Sequence, residues 1–406
     1  MTSTPTRAPD LRVRRLTTTL YGYAFLEDFV LLYPVYALLF SDTGLTVWQI
    51  SSLFALWSVT GVLLEVPSGV WADAVSRRLL LWLGPLLTAA GFTLWALVPS
   101  YGAFAAGFVL WGAGGALASG ALEALVHDEL ERLDAAGRYA RIMGRARAAG
   151  LVAVMAAMGL AGPVLDRGGH TAVCAASILA CLLTAATALR FPEHRTPATG
   201  PRGWTAPLRA GLAEARADRS VRGALLLVPA VGAVWGALDE YTPLLVRDTG
   251  VADETVPYLL LLIWAGATVG SLLAGEGERL GTNGLAALLA GAGLALAVGT
   301  LAGTPAGLVL VALAFGGFQA ATVLADARLQ RRIGDTGRAT LTSLAGLGTE
   351  LATVAVFGGY ALIATHSPPS TAGPHSTAFA VFAVPYLVTA LLLILTRPLR
   401  SPRGVP

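Results

Sequence analysis

The chain has 406 residues, 55% hydrophobic and only 13% charged, with a formal net charge of +3. A soluble domain carries about a quarter charged residues, so this composition excludes an ordinary water-soluble domain and points to a protein embedded in lipid. All 28 basic residues are arginine, which excludes a P-loop and imine chemistry on a lysine amine.

Twelve apolar runs follow one another, near 17–41, 48–70, 78–98, 103–126, 144–165, 170–190, 222–246, 256–275, 282–302, 305–327, 339–364 and 377–396. Each suffices to cross about 30 Å of hydrocarbon as a helix. The first follows Arg7, Arg12, Arg14 and Arg15 and contains Glu27 and Asp28; its length and acids fit a first span better than a cleavable signal. The fourth reads WGAGGALASGALEALVHDEL (111–130), with no buried arginine. The fifth carries Gly150, Gly159, Gly162-Pro163 and Gly168-Gly169, and the sixth holds Cys174 and Cys181. Seven residues of helix separate those thiols by about 10 Å, too far for a disulfide, so they are expected to be packing residues. The longest polar interruption, 191–221, splits the runs six and six and reads as a linker. The five histidines are expected in loops, and no Cys/His spacing suits a metal.

Arginine placement orients the chain. With the N-terminus in the cytoplasm, 26 of the 28 arginines fall on the cytoplasmic side and only Arg167 and Arg247 outside, as the positive-inside rule requires. A weak repeat relates the halves: FLEDF (25–29) in the first run and ALDEY (237–241) in the seventh. Each precedes a DTG, at 42–44 and 248–250, and then a tryptophan, Trp57 or Trp264. The distance from acid pair to DTG differs by about six residues. Placement at the start of each half favours duplication.

After the second run comes GVWADAVSRR, 69–78. This resembles the loop between helices two and three of the major facilitator superfamily, with Gly69, Asp73, Arg77 and Arg78 matching and Ser76 in place of a second glycine. The preceding EVPSG (65–69) is common in that family, and GEGERLG (275–281) is a worn second copy that keeps Arg279. The resemblance implies an all-α membrane protein of twelve transmembrane helices in two pseudo-symmetric six-helix bundles, 1–190 and 222–406, joined by a cytoplasmic linker at 191–221. It further implies that Asp73 meets a helix N-terminus near Arg338, where free N–H groups and the dipole favour a carboxylate. Glu65, Glu123 and Arg145 are candidate partners in that cytoplasmic gate. The glycines and proline of the fifth run resemble the signature of drug/proton antiporters, with different spacing.

Ionisable residues kept inside a bilayer usually face a cavity or a partner. Glu27, Asp28, Asp239, Glu240 and Glu350 are therefore candidates for substrate binding or proton coupling; structural carboxyls bonded to hydroxyls or carbonyls are the alternative. Burial and a neighbouring like charge favour protonation near neutral pH. Adjacent residues point about 100° apart on a helix, so one of each pair is expected to face a cavity. Tyr21, Tyr23, Tyr33, Tyr36, Trp57 and Trp235 either line a cavity or form interface belts, and Pro34 and Pro229 are expected to kink helices one and seven. With mid-membrane charges acidic and no cation there, organic phosphates and dicarboxylates are disfavoured as substrates. The expected function is proton-coupled efflux of small hydrophobic or cationic compounds by alternating access. A proton symporter for a neutral metabolite, or a non-transporting sensor or assembly protein of the same fold, are the alternatives. A monomer in a bacterial cytoplasmic membrane is expected, with both termini cytoplasmic, and no cofactor, metal, catalytic centre or nucleic-acid partner is called for.

Overall fold

The computed structural model describes residues 7–194, 219–277, 279–332, 338–367 and 373–395; the side chains of 7–10, 65–74, 219 and 338–340 lie outside that description. Among the described residues ten helical segments are long and apolar enough to cross a membrane. One of them spans Ala136–Ala188. Its helix α7 (Tyr139–Ala188) would extend about 75 Å if straight, far more than one bilayer, and it bends at Gly169, whose φ of 60° and ψ of −166° are not helical. It therefore makes two passages. The first span is broken in two, α1 (Arg7–Asp28) and α2 (Tyr36–Asp42), and the total is the twelve expected.

The chain divides into two compact units, Met1–Pro201 with Asp253–Tyr258, and Arg202–Ala252 with Leu259–Pro406. Of the expected linker, residues 195–218 lie outside the described residues. The first unit holds α1, α2, α3 (Val47–Ala74), α4 (Arg77–Leu97), α5 (Tyr101–Ala118), α6 (Ala121–Arg132) and α7. The second holds α8 (Arg219–Asp239), α9 (Thr242–Asp248), most of α10 (Val256–Gly277), then α11 (Thr282–Leu301), α12 (Gly307–Gln330), α13 (Arg338–His366), α14 (Pro374–Val381) and α15 (Ala383–Leu395). Within each unit, helices approach closely at glycines, the usual solution where lipid removes the hydrophobic drive between helices. A Cβ on Gly84 of α4 would stand 2.8 Å from the Gly114 carbonyl of α5, and one on Gly270 of α10 would collide with the Gly316 backbone of α12.

The DTG repeat has one structural role in both units. Asp42 ends α2 and Asp248 ends α9. In each, the threonine hydroxyl donates to the carbonyl three residues back, Thr43 to Phe40 at 2.8 Å and Thr249 to Val246 at 2.7 Å. The glycine that follows turns the chain with a φ of 82°, at Gly44 and again at Gly250. The aspartate then meets a histidine beside a second positive-φ glycine. Asp42 Oδ2 lies 2.8 Å from His170 Nε2 just after Gly169, and Asp248 Oδ2 accepts the His375 backbone N–H at 3.2 Å just after Gly373. The expectation that all five histidines occupy loops is corrected here. His127, His170, His366 and His375 lie within or at the ends of helices, and only His194 lies in a connection. The polar string DRGGH (166–170) reads as a loop from its charges and paired glycines, yet only Gly169 leaves helical geometry there.

The glycine contacts are tested by substitution. Gly270→Ala should destabilise the protein by about 1–3 kcal/mol, read as a lower Tm in detergent. Gly275→Ala, which meets nothing within 4 Å, should leave the Tm unchanged.

Candidate functional site

In both units the acid pair stands where the helix stops. Helix α1 ends at Asp28, immediately after Glu27, and α8 ends at Asp239, immediately before Glu240. The first break covers residues 29–35 and the second only 240–241, which takes up most of the unequal spacing between acid pair and DTG. Broken helices free backbone groups that must be satisfied within the protein. At the first break Ser177, from the far arm of α7, accepts the Leu32 N–H at 3.0 Å, and its own hydroxyl donates to Val173 at 2.8 Å. Pro34 lies in this break and Pro229 inside α8, where Tyr386 of α15 accepts the Trp235 N–H at 2.8 Å and donates to the Val231 carbonyl at 3.2 Å. At the second break Tyr241 stacks on Tyr360 of α13 with ring centres 3.7 Å apart.

Beside the first break the unit encloses a cavity of about 240 Å³. Both Glu27 and Asp28 line it, whereas only one of the two was expected to face a cavity; the chain leaves helical geometry directly after them. Tyr33, Thr88, Trp111 and Cys181 complete most of the wall. Trp111 is stacked between Tyr33 (5.3 Å, 8°) and Trp57 (5.0 Å, 29°). Glycines make the space: Gly84 and Gly114 lie on the wall, and a Cβ on Gly150 of α7 would collide with the Asp28 carboxylate. The Tyr23 hydroxyl is 3.5 Å from Glu27 and 3.3 Å from the Leu81 carbonyl. Among the described residues no cation pairs with Glu27, Asp28, Asp239 or Glu240, and all four are partly buried. Glu350 is partly buried midway along α13. Cys174 and Cys181 are free, buried thiols.

Charge of the other sign collects at the arginine-rich end of the first unit. Ser76, which the family loop would fill with glycine, caps α4 by accepting the Leu79 N–H at 3.0 Å. The Glu193 carboxylate sits on the same helix end, accepting from the Ser76 hydroxyl at 2.5 Å and the Arg77 N–H at 2.6 Å. Arg77 pairs with Asp128 at 2.5 Å. The side chains of Glu65, Gly69 and Asp73 lie outside the described residues, as do the side chains near Arg338. Glu123 is partly buried on α6, and Arg78 and Arg145 are exposed. His127, Asp128 and Glu131 bring one ligand atom each within 4.8 Å of one another, but all three are exposed and Asp128 already holds Arg77.

The family model for the Major Facilitator Superfamily matches residues 20–356. The chain belongs to that superfamily. No curated protein sequence matches it significantly. Among solved structures this superfamily member is similar in fold to a variant of the nucleoside transporter NupG, with a TM-score of 0.76 and 13% identity over 94% of this chain and 99% of that one. It is also similar to an auto-inhibited POT-family peptide transporter (0.71, 14%, 97% and 99%) and to a D-xylose-proton symporter (0.65, 14%, 95% and 98%). At such identities the likeness concerns the fold alone. Trp111, Thr88, Asp128 and Glu193 were not singled out from the sequence. The glycines that follow Trp111 were a usable signal for a thin, cavity-forming helix face; the two acids gave none, because their partners lie 51 and 116 residues away.

Unpaired carboxyls in an apolar setting are open to hydrophobic carbodiimides, which add to the protonated group. Treatment of the detergent-solubilised protein followed by peptide mass spectrometry should label the Glu27–Asp28 and Asp239–Glu240 peptides and spare Asp128 and Glu129. Equal labelling of the ion-paired acids would remove the distinction drawn here.

Proposed function

We propose that this superfamily member couples a proton gradient to the export of small hydrophobic or cationic compounds by alternating access, with the arginine-rich ends of its helices on the cytoplasmic side of a bacterial membrane. The observation that carries the reading is the uncompensated Glu27–Asp28 pair at a helix break, in the wall of a cavity that also presents the stacked Tyr33 and Trp111 rings. An ionised carboxylate away from water costs several kcal/mol unless it gains a proton or a cation. Substrate cation and proton therefore compete for one place, which is the requirement for exchange. Aromatic faces bind an organic cation through their negative π surface, and among the described residues no arginine lines this cavity to receive an anion.

Proton symport of a neutral metabolite is the second reading, the mode named for a D-xylose-proton symporter that shares this fold. The sign of proton movement separates the two. In proteoliposomes with an imposed pH gradient, exporter substrates should drive protons opposite to their own flux, whereas a symported metabolite carries them along. Glu27→Gln and Asp28→Asn should each lower gradient-driven flux at least tenfold while substrate exchange at equal pH persists. Full gradient-driven flux in both variants would end the coupling assignment.

A further inference from the structure

The arginine-rich end of the first unit holds a second cavity, about 440 Å³, which shares no lining residue with the acid-lined one. The start of α1 contributes Arg12 and Arg15, the start of α4 Arg78, the end of α6 Arg132, and the segment after α7 Arg190 and His194. Among the described residues Glu129 is the only acid on the wall, so five guanidinium groups face one carboxylate, a surplus there of four positive charges.

That carboxylate is already committed. Glu129 is 2% exposed and accepts from Arg132 at 2.8 and 3.2 Å, from the His194 N–H at 2.9 Å, and lies 2.8 Å from His194 Nδ1. The Arg78 guanidinium donates to the Phe191 carbonyl at 3.5 Å, and its backbone N–H lies 3.4 Å from Glu193 Oε1. Among the described residues no acid pairs with Arg12, Arg15 or Arg190. The remaining wall is apolar, formed by Leu16, Leu133, Leu189, Phe191 and Pro192. Leu189 is 57% exposed at its edge.

Exposed like charges at this density repel, and an anion that bridges several guanidinium forks relieves the repulsion. Guanidinium binds phosphate oxygens two at a time, with geometry a point charge lacks. We infer that this pocket binds a phosphate ester, its charge taken by Arg12, Arg15, Arg78 and Arg190 and its glycerol or acyl portion by the leucine and Phe191 wall. Two sources share that chemistry: the headgroup of an anionic phospholipid and a soluble phosphate ester. The apolar wall with an exposed leucine beside a membrane-spanning helix favours the lipid. The committed Glu129 network fixes Arg132 and His194 as the rigid side of the pocket, and the free arginines form its receiving side.

The test uses the full-length protein in detergent. Native mass spectrometry with phosphatidylglycerol or phosphatidylcholine should show retained phosphatidylglycerol in several-fold excess. The excess should fall at least fivefold in Arg15→Gln/Arg190→Gln and persist in Arg141→Gln/Arg147→Gln, which removes the same charge from exposed positions elsewhere in the unit. Glycerol 3-phosphate that raises the Tm as much as phosphatidylglycerol, with the same loss in the pocket variant, would assign the pocket to a soluble ester. Should the pocket variant fail to fold, hydrogen exchange on the parent protein decides: phosphatidylglycerol or glycerol 3-phosphate should protect residues 11–17 and 189–194. Equal retention by both double variants, or no protection of those segments by either compound, would overturn the inference.

Discussion

Hydrocarbon offers no hydrogen bonds, so a chain that crosses it must satisfy each backbone group and each charge from within. Long uninterrupted helices meet that demand at no extra cost, and most crossings here are of that kind. The first and seventh crossings depart from it at corresponding places, each directly beside two adjacent acids, whereas the fourth (between α5 and α6) and the twelfth (between α14 and α15) are interrupted without such a pair. At the first break Ser177 takes up a freed N–H, while at the second a Tyr241–Tyr360 stack covers the opening. The supporting chemistry differs between the units, but the outcome is shared: a short helix follows each break and ends in Asp-Thr-Gly. Both breaks place adjacent carboxylates at a helix end.

Duplication was legible because the Asp-Thr-Gly repeat is a local device with local hydrogen bonds. Its threonine binds three residues back, its glycine adopts a positive φ, and neither depends on the rest of the chain. What the aspartate does next was not legible. His170 lies 128 residues from Asp42 and His375 lies 127 residues from Asp248, and sequence spacing carries no sign of such a meeting. Twelve crossings could be read directly, since a run of about 20 apolar residues has few other uses. The first break was anticipated only as a kink at Pro34, because the residues around it remain as apolar as a helix would be, and the second, at 240–241, lies away from Pro229. At the arginine-rich end the same division holds. The positive charge was evident from composition, yet the pairing of Arg77 with Asp128 and the seating of Glu193 on the start of α4 are tertiary and had no local signal.

The two cavities of the first unit divide the charge of the chain by sign. One is acidic, aromatic and set beside a helix break in the apolar stretch; the other is lined by arginines with leucine and phenylalanine between them. An anion entering the acidic cavity would meet two carboxylates and no compensating donor of positive charge. A cation entering the arginine pocket would meet four surplus charges of its own sign. Each cavity thus disfavours what the other accepts, the acidic one more strongly, because Glu27 and Asp28 are partly buried whereas Arg12, Arg15, Arg78 and Arg190 are exposed and screened by water. On the proposed reading the acidic cavity is the one that receives cargo, and the arginine-rich end is where a phosphate ester is held as a ligand.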